Sequence, residues 1–442
     1  MAEPDSVQSA VQAYYNTEAE HEWQRADRHR MEFAVTFRAM ADHLPRPGTG
    51  ESPVRVLDCG CGPGRYAITL AQQGYAVTLF DLSPAELTLA QERAQAAGVT
   101  FAGVEQGTAT DMSRFPDESF DVVLLMGPLY HLLEEAGRRQ ALAEAYRVAN
   151  PGGMVWAAFI TRYAAHRDAA ARDPLIPLAE PDVDRRLLET GQLPPRPGGG
   201  FIAYQAHPNE VAPLCRSVGL DVETLLGVEG LVSMLEGSIN TLEGAAWDYW
   251  VNLNYTLASD PSIHGSAAHL LAICRKPRWR TVLRTIVQRL ASSGIAYRVV
   301  GGTALALRGL PVPVHDLDLE MPVVEDVYRF GELFSQNATM PVAWREGPAV
   351  RSHFGRFQVE GVTVEAMGGL EWHRDGRWVP SLSATSDCVA LDGLAVPVLE
   401  LEEEALACLR RGRLERVALA LPHCNPERLQ TLLAEAARNG MF

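Results

Sequence analysis

Lysine and long apolar runs are both scarce in this chain, and their scarcity excludes several kinds of protein. Lys276 is the only lysine among 442 residues, so catalysis by a lysine is excluded almost everywhere. Hydrophobic residues make up 47% of the chain, yet no apolar run approaches the roughly 20 residues that a membrane-spanning helix needs. The N-terminal segment is polar and acidic and has no apolar signal core. We therefore expect a cytoplasmic protein that does not contact a membrane.

Cysteines are few, odd in number and scattered. The chain contains seven, and no two of them form a CxxC pair. Cys59 and Cys61 are separated by a single residue, which is too close for ordinary disulfide geometry. Because no second Cys or His pair has ligand spacing, the pattern argues against a structural zinc site. It predicts reduced thiols that serve as small packing residues.

Basic charge is limited, which bears on the partners of the protein. The net charge is −16, and residues 1–277 account for most of it with 21 basic and 35 acidic residues. Residues 278–442 contain 18 basic and 20 acidic residues. Neither part is basic enough to predict tight binding of nucleic acid, so an RNA-modifying enzyme is disfavoured. A homodimer is compatible with the sequence.

Apolar strand patterns alternate with helical patterns from Val54 onward, which predicts an α/β protein with a mostly parallel sheet. Helices are predicted at "RYAITLAQQG" and "PAELTLAQERAQAAG" and should cover both faces. Seven strands are predicted, at "VRVLDCG", "AVTLFDLS", "VTFAGVEQG", "FDVVLLMG", "MVWAAFI", "LDVETLLGV" and "HLLAICRK".

The domain boundaries follow from composition. Residues 1–50 are predicted to form a helical lid, and residues 51–277 the first α/β domain. Within it, residues 161–200 are rich in Pro and Gly and read as a lid or insertion with a helix around "VDRRLLET". The segment "RKPRW" is the joint to a smaller α/β domain with a mixed sheet, residues 278–442.

A glycine-rich turn follows the first strand. In "VLDCGCGPGRYA", Asp58 precedes three glycines, Gly60, Gly62 and Gly64, whose missing Cβ atoms allow a ligand to approach the backbone. A tight turn without a ligand would also explain this loop. Asp81 ends the second strand, 17 residues after Gly64, where its carboxylate could accept both ribose hydroxyls.

Two further loops follow later strands. "GTATDM" places Asp111 and Met112 after the third strand, where a carboxylate and a backbone N–H could bind an adenine edge. "FDVVLLMGPLYHLL" places Tyr130 and His131 after the fourth. His131 could be a general base, or a loop histidine that satisfies a backbone carbonyl.

Together these motifs resemble the class I S-adenosylmethionine-dependent methyltransferases of the small-molecule branch, from about Val54 to Phe159 and more loosely to Lys276. The resemblance implies a Rossmann-like sheet and S-adenosylmethionine as cofactor. It assigns the methionine part to Asp58 and the glycines, the ribose to Asp81, and the adenine to Asp111 and Met112. Acceptors meet the cofactor near Tyr130 and His131 in this family. Tyr14 and Tyr15 are expected on the lid, in packing or solvent-facing roles.

A second glycine turn opens the last third of the chain, in "VVGGTALALRGLPVPVHDLDLE". Gly301 and Gly302 are predicted to turn into a helix that begins at Thr303, followed by a strand. Asp316 and Asp318 share one face of that strand, because successive side chains alternate. Two such carboxylates repel one another unless a cation binds between them, and their hard oxygens suit Mg²⁺.

A third carboxylate is expected beside this pair. "RFQV", a Glu-Gly turn and "VTVEAM" predict a hairpin, and Glu365 falls within its apolar second strand, where a glutamate is costly to bury alone. Asp316, Asp318 and Glu365 would then form a two-metal cluster suited to phosphoryl transfer.

The arrangement resembles the nucleotidyltransferase superfamily, most of all the minimal and the aminoglycoside or lincosamide types, from about Trp279 to Val398. By that resemblance Gly301 and Gly302 hold the triphosphate of a nucleoside triphosphate, the two aspartates bind Mg²⁺, and Glu365 activates the acceptor. The C-terminal tail departs from the family, because it offers only arginines where the family carries Lys and a Lys-Asp pair. These are Arg410, Arg411, Arg413 and Arg416.

Two hypotheses remain open at this point. In the first, the protein is a bifunctional transferase that methylates a small molecule and transfers a nucleotidyl group. In the second, it is a methyltransferase whose C-terminal domain is non-catalytic and serves substrate binding or dimerisation.

Overall fold

The computed structural model describes residues 4–48, 52–195, 200–374, 376–381 and 386–438. The chain divides into two compact units, residues 1–277 and 278–442. Part of the Pro- and Gly-rich insertion, residues 196–199, lies outside the described residues, as do residues 49–51 at the end of the predicted lid.

The first unit begins with three helices that precede the first strand. Its helices are α1 (Pro4–Trp23), α2 (Arg25–Arg28), α3 (Arg30–His43), α4 (Arg65–Gln72), α5 (Pro84–Ala96), α6 (Glu135–Val148), α7 (Ala164–Arg172), α8 (Ile176–Ala179), α9 (Pro181–Thr190), α10 (Pro208–Arg216), α11 (Glu236–Ile239), α12 (Gly244–Leu257) and α13 (Pro261–His264). Its strands are β1 (Arg55–Cys59), β2 (Ala76–Asp81), β3 (Gly103–Gln106), β4 (Phe120–Leu125), β5 (Ala149–Thr161), β6 (Gln192–Leu193), β7 (Ala203–Ala206), β8 (Asp221–Gly227) and β9 (His269–Arg275).

The sheet of the first unit confirms the predicted α/β class. Strands β3, β2, β1, β4 and β5 lie side by side and parallel, and β9 then runs antiparallel between β5 and β8. All seven predicted strands are present. Within the described residues the sheet has nine strands rather than seven, because β6 and β7 add a short antiparallel pair that joins the end of β5. With two and four residues, these strands are too short to leave a period-two pattern in the sequence.

Two cores cover the two faces of this sheet, as the alternation of side chains along each strand requires. Val56, Leu124 and Trp156 pack on one face with residues of α3 and α4. Leu57 and Leu125 pack on the other face with residues of α6 and α10.

The second unit is smaller. Its helices are α14 (Arg278–Ala291), α15 (Gly301–Leu307), α16 (Val324–Leu333), α17 (Leu401–Arg410), α18 (Leu414–Ala420) and α19 (Pro426–Arg438). Its strands are β10 (Arg298–Val300), β11 (Asp316–Glu320), β12 (Ala338–Glu346), β13 (Val350–Val359), β14 (Val362–Arg374), β15 (Arg377–Pro380), β16 (Ser386–Leu391) and β17 (Leu394–Leu399).

These strands form the predicted mixed sheet, in the order β12, β13, β14, β11, β10, β17, β16, with β15 paired to β14. Strand β11 is parallel to β14 and antiparallel to β10, so it is central. The predicted hairpin is β13–β14, and Glu360 and Gly361 form its turn with positive φ. The helix after β10 begins at Gly301, two residues earlier than predicted, because both glycines take part in its first turn.

Among the described residues, no helix is both long and apolar enough to cross a membrane. All seven cysteines are free thiols, as their spacing predicted.

Two candidate ligand sites

A cavity of about 750 Å³ opens at the carboxyl ends of the central strands of the first unit. It lies where β1 and β4 are neighbours, which is the switch point in strand order at which open α/β sheets bind ligands. Its volume is within the range of roughly 300–1,000 Å³ typical of small-molecule sites. Its walls include the glycine loop after β1, Asp81 at the end of β2, and residues 107–110 after β3.

The three glycines of the loop have different local roles. Gly60 has φ +72°, and a Cβ atom there would lie 2.4 Å from Cδ of Pro128, so only glycine lets this loop pass the loop after β4. Gly62 lines the cavity, and its N–H donates to Asp81 Oδ2 over 2.9 Å. Gly64 packs against α5 instead, since its Cβ would lie 3.0 Å from Cβ of Ala90.

Carboxyl groups dominate the polar part of the cavity wall. Asp58 is 1% exposed and neither of its carboxylate oxygens has a hydrogen-bond partner. Burial and the neighbouring Asp81 raise the pKa of Asp58 to about 7. Glu86 is equally buried and also lacks partners for both oxygens. Burial, with Asp81 and Glu22, raises the pKa of Glu86 to about 9.

Glu86 was missed in the sequence because its context indicates a helix cap. The segment Ser-x-x-Glu at the start of α5 is the pattern of a capping box, and the Ser83 hydroxyl does accept from the Glu86 N–H over 3.2 Å. The return bond is missing, because Asp81 Oδ1 accepts the Ser83 N–H instead, over 2.8 Å. The Glu86 carboxyl group is thereby left in the wall of the cavity.

The structure does not bring the expected adenine-binding pair to this cavity. Asp111 is exposed, and its carboxylate accepts the N–H of Ser113 over 3.0 Å. Met112 is fully buried, and its N–H donates to Glu144 Oε2 over 2.7 Å, so it is not available to a ligand. Thr108, Ala109 and Thr110 line the wall at this place.

His131 and Tyr130 both line the cavity, and His131 is held on two sides. Its Nδ1 lies 2.7 Å from the carbonyl oxygen of Ile202, and its Nε2 lies 2.7 Å from the hydroxyl of Tyr15. Burial lowers the pKa of His131 to about 4, so the ring is neutral at pH 7. The Tyr130 hydroxyl donates to the carbonyl of Met126 over 3.4 Å.

Residues of helices α1 to α3 form part of the wall of this cavity. Tyr15, Glu22, Arg25 and Glu32 from these helices line it. Arg25 Nη2 donates to Glu32 Oε2 over 2.7 Å, and this pairing brings the pKa of Glu32 down to about 2. From the insertion, Arg186, Pro194 and Pro195 also line the cavity, and α9 contains the helix predicted around "VDRRLLET".

The second unit brings its three predicted carboxylates together. Asp318 and Glu365 are direct register partners on parallel strands β11 and β14. One oxygen from each of Asp316, Asp318 and Glu365 lies within 4.8 Å of the others. Burial, Asp316 and Glu365 raise the pKa of Asp318 to about 7. Glu365 also pairs with Arg356, whose Nη2 is 2.7 Å from Oε1.

The glycine turn of the second unit has an internal partner. The N–H of Gly301 donates to Oε2 of Glu404 over 2.8 Å, and Glu404 is only 2% exposed. Gly301 has φ +70°, and a Cβ there would lie 2.3 Å from Asp318 Oδ2. An anionic side chain on α17 therefore occupies the place where a phosphate would meet this N–H. The adjacent cavity has a volume of only about 60 Å³.

The arginines of the tail differ in their surroundings. Arg411 acts electrostatically on Asp318 and lines the small cavity, together with Arg410. The guanidinium of Arg416 would be 3.2 Å from a Cβ at Gly302. Arg413 precedes α18 and is exposed.

Comparison with known families matches each unit separately. Residues 56–153 match a family described as a methyltransferase domain. Residues 282–415 match a family described as aminoglycoside-2''-adenylyltransferase. The chain thus carries a methyltransferase domain followed by a nucleotidyltransferase-like domain.

Individual relatives cover only parts of the chain. A Geobacillus protein proposed to be a methyltransferase is 38% identical over 102 residues, 23% of this chain and 40% of that protein. A ubiquinone biosynthesis O-methyltransferase from Paracidovorax citrulli is 35% identical over 175 residues, 40% of this chain and 66% of that enzyme. This chain therefore spans less than two thirds of the length of either relative.

Among solved structures, a Thermotoga maritima protein proposed to be a nucleotidyltransferase is 31% identical. The alignment covers 36% of this chain and 95% of that protein, with a TM-score of 0.29.

Proposed function

We propose that the first unit transfers a methyl group from S-adenosylmethionine to a small molecule. The observation that carries the proposal is the pair of buried Asp58 oxygens without partners, in a cavity of about 750 Å³ behind the glycine loop. A buried carboxyl group of this kind is costly unless a ligand compensates it.

The residues present fit S-adenosylmethionine. The molecule carries a sulfonium, an ammonium and one carboxylate, and hence a net positive charge. Six acidic side chains line the cavity: Glu22, Glu32, Asp58, Asp81, Glu86 and Glu134. A bound cation would lower the raised pKa values of Asp58 and Glu86, since an opposite charge favours the ionised form. The bound cofactor supplies an electrophilic methyl group.

The protein's own residues then bind and orient the cofactor. Asp58 and the loop around Gly60 and Gly62 would hold the methionine part, and Asp81 the ribose hydroxyls. The lid helices exclude water from the reacting groups, which strengthens each electrostatic contact. Positioning of the two reactants supplies most of the acceleration in such a transfer.

We further propose a hydroxyl group as the acceptor. The Paracidovorax relative is named as an O-methyltransferase. The acceptor side of the cavity is lined by aromatic rings that suit a flat, apolar molecule: Tyr15, Phe33, Tyr66, Tyr130 and His131.

Isothermal titration with S-adenosylmethionine tests the first proposal. Asp58→Ala and Asp81→Ala should each weaken binding strongly, whereas Asp111→Ala should not, because Asp111 is exposed and outside the cavity wall. Failure of the wild-type protein to bind S-adenosylmethionine would overturn the proposal.

For the second unit we propose a divalent cation, Mg²⁺, bound by Asp316, Asp318 and Glu365. The three carboxylates supply hard oxygen ligands at short mutual distances, and burial, followed by the charges of Asp316 and Glu365, raises the pKa of Asp318. These residues fit the ion, and the bound ion would supply electrostatic stabilisation of negative oxygens.

A nucleoside triphosphate fits less well. The Gly301 N–H is already bonded to Glu404, and Lys276, the only lysine, precedes this unit. Nucleotidyl transfer is favoured by the acid cluster, and a non-catalytic role in substrate binding or dimerisation is favoured by the Glu404 contact.

Incubation with Mg²⁺, labelled nucleoside triphosphates and candidate acceptors separates the two roles. Label transfer that is abolished by Asp316→Asn and Asp318→Asn, but not by Asp387→Asn on the edge strand β16, supports nucleotidyl transfer. Binding of Mn²⁺ as a probe, without label transfer, supports the non-catalytic role. The absence of both contradicts the metal site.

A further inference from the structure

The acceptor side of the first cavity contains a hydrogen-bonded pair that neither the family matches nor the sequence motifs assign. Tyr15, on lid helix α1, and His131, after β4, are 116 positions apart in the sequence. Their rings pack edge to face at 5.2 Å, and both side chains line the cavity.

Chemistry fixes the direction of each hydrogen bond. The carbonyl oxygen of Ile202 can only accept, so His131 Nδ1, 2.7 Å away, carries the proton. In a neutral imidazole the other nitrogen is then an acceptor. The Tyr15 hydroxyl, 2.7 Å from Nε2, therefore donates its proton to His131. His131 Nε2 is occupied by this bond, so a substrate would meet the tyrosine oxygen first.

The position of Tyr15 is held by its helix. Gln12 donates to the carbonyl of Leu82 over 3.0 Å, and Ser83 donates to Asn16 over 2.8 Å. Arg93 bonds both oxygens of Glu20. These contacts attach α1 to the end of β2 and to α5, beside Asp81. Tyr15 is thus anchored relative to the proposed cofactor site.

We propose that Tyr15 is the residue that takes the proton from a phenolic acceptor, and that it passes its own proton to His131. This inference rests on the proposed methyl transfer. In the step, the acceptor oxygen forms a bond to the methyl carbon and the carbon–sulfur bond breaks, with its electron pair remaining on sulfur. The acceptor proton moves to the Tyr15 oxygen, and the Tyr15 proton moves to His131 Nε2, which becomes an imidazolium.

The surrounding charges are consistent with this step. Burial raises the pKa of Tyr15 well above its usual value, with smaller contributions from Tyr130, Glu22 and Tyr14, and Arg25 opposes them. Tyr15 therefore gives up its proton only while it receives another. His131 is a weak base, but the acceptor oxygen becomes strongly acidic as it is methylated, so a weak base is sufficient.

The first readout needs no substrate. In protein labelled with ¹⁵N-histidine, His131 is assigned by comparison with His131→Asn. We expect Nδ1 to be protonated and Nε2 to be unprotonated at pH 7, and Tyr15→Phe should shift the Nε2 signal. A His131 that is cationic at pH 7, or protonated on Nε2, would overturn the inference.

The second readout uses S-adenosylmethionine and catechol as the probe. Tyr15→Phe should bind S-adenosylmethionine within about twofold of wild type and should lower kcat by roughly a hundredfold or more, with little change in KM. Tyr14→Phe is the matched control and should retain activity. The loss of kcat in Tyr15→Phe should become smaller toward high pH. The phenol group of the acceptor then ionises without a base, near the usual phenol pKa of about 10.

The outcomes separate this inference from the proposed function. If wild-type protein does not bind S-adenosylmethionine, methyl transfer itself is wrong. If it binds the cofactor but neither binds nor methylates catechol, the phenolic acceptor is wrong. Turnover by Tyr15→Phe within about threefold of wild type at all pH values would show that Tyr15 takes no proton.

Discussion

The two glycine turns of this protein occupy similar places in their folds but have different surroundings. Each follows a strand, begins a helix and approaches an aspartate whose pKa is raised to about 7. The first turn, at Gly60 to Gly64, faces a cavity of about 750 Å³, and Asp58 beside it lacks a partner. At the second, the Gly301 N–H is bonded to a buried glutamate, and the adjacent cavity measures about 60 Å³.

The difference shows that a glycine turn is only half of an anion or cofactor site. The glycines permit close approach of a ligand, but a distant element decides what approaches. For the first turn the distant elements are helices α1 to α3, which leave space for a ligand. For the second it is α17, about a hundred residues later, which supplies the carboxylate of Glu404. Variants at both turns test this contrast.

Gly60→Ala should reduce S-adenosylmethionine affinity at least a hundredfold, or about 2.7 kcal/mol. The new Cβ would lie 2.4 Å from Pro128, so the loop would have to move out of the cavity wall. Titration calorimetry measures this. Gly98→Ala is the control, because Gly98 has φ +70° but no atom within 4 Å of the added Cβ. Equal binding by Gly60→Ala and wild type would mean that the loop does not contact the cofactor.

Gly301→Ala should weaken Mn²⁺ binding to the second unit by about tenfold or more. Its Cβ would lie 2.3 Å from Asp318 Oδ2 and would displace one of the three proposed ligands. Electron paramagnetic resonance of free Mn²⁺ is a suitable measurement. Gly309→Ala has a similar φ, +82°, with no atom within 4 Å, and should bind Mn²⁺ normally. If both variants bind equally, Asp318 does not ligate the metal.

Glu404→Gln should raise the affinity for a Mg²⁺-bound nucleoside triphosphate by about tenfold. Removal of one buried negative charge beside the Gly301 N–H would relieve its repulsion of phosphate, and 1.4 kcal/mol corresponds to that factor. Fluorescent-nucleotide titration measures it, with Glu415→Gln on α18 as a control. An unchanged affinity would indicate that Gly301 does not take part in phosphate binding, and the two turns would then differ in function.

The pH dependence of cofactor binding tests the role of Asp58. Because its pKa is about 7, the carboxyl group takes up a proton as the pH falls, and S-adenosylmethionine affinity should drop roughly fivefold between pH 7 and pH 6. Asp58→Asn should flatten this profile. Asp111→Asn should not.

The same shift predicts the stability of the cofactor-free protein. The unfolded chain releases the Asp58 proton near pH 4, while the folded chain retains it to about pH 7. Between about pH 4 and pH 7 the folded state thus binds more protons than the unfolded state. The contribution of Asp58 to the free energy of unfolding therefore falls as the pH rises through this range. Above pH 7 the destabilisation caused by the buried, ionised Asp58 is constant, and Asp58→Asn should remove this destabilisation. Thermal unfolding of wild type and Asp58→Asn across this pH range measures the effect, and a difference between them that does not grow from pH 4 to pH 7 would contradict the prediction.

Arg356→Gln should have the smallest effect, a rise of roughly twofold to fivefold in Mn²⁺ affinity. Arg356 is 46% exposed and pairs with Glu365, and such pairs contribute about 0–1 kcal/mol. Arg345→Gln on the adjacent strand is the control. A fall in affinity would mean that the arginine positions Glu365 for the metal and does not compete with it.

Much of the fold could be predicted from the sequence because the signals are local. Buried strands such as "VRVLDCG" and "FDVVLLMG" leave continuous apolar runs, and the turn residues between them mark their ends. The meeting of Asp318 and Glu365 was also within reach, since two apolar strands each carried one costly acid. The two short strands β6 and β7 were not, because pairing with β5 rather than their own composition forms them.

The parts of the sites that sequence could not provide depend on long-range contacts. The sequence near Gly301 does not indicate that Glu404 will accept its N–H. The sequence near Tyr15 does not indicate that this residue will bond to His131. Asp111 looked suitable by its place after β3, but Glu144 on α6 takes the Met112 N–H and the wall forms from residues 108–110. Glu86 was hidden by a capping pattern that Asp81 disrupts.

The position of β9 has a consequence for how the protein is made. This strand is the last of its unit to be synthesised, yet it lies between β5 and β8. A growing chain that stops before His269 would expose the edges of both partners, which invites aggregation. The ribosome then spends roughly 8 to 30 seconds on residues 278–442, at about 5–20 residues per second. While the second unit is being synthesised, the first unit therefore has time to close its sheet before the chain is released.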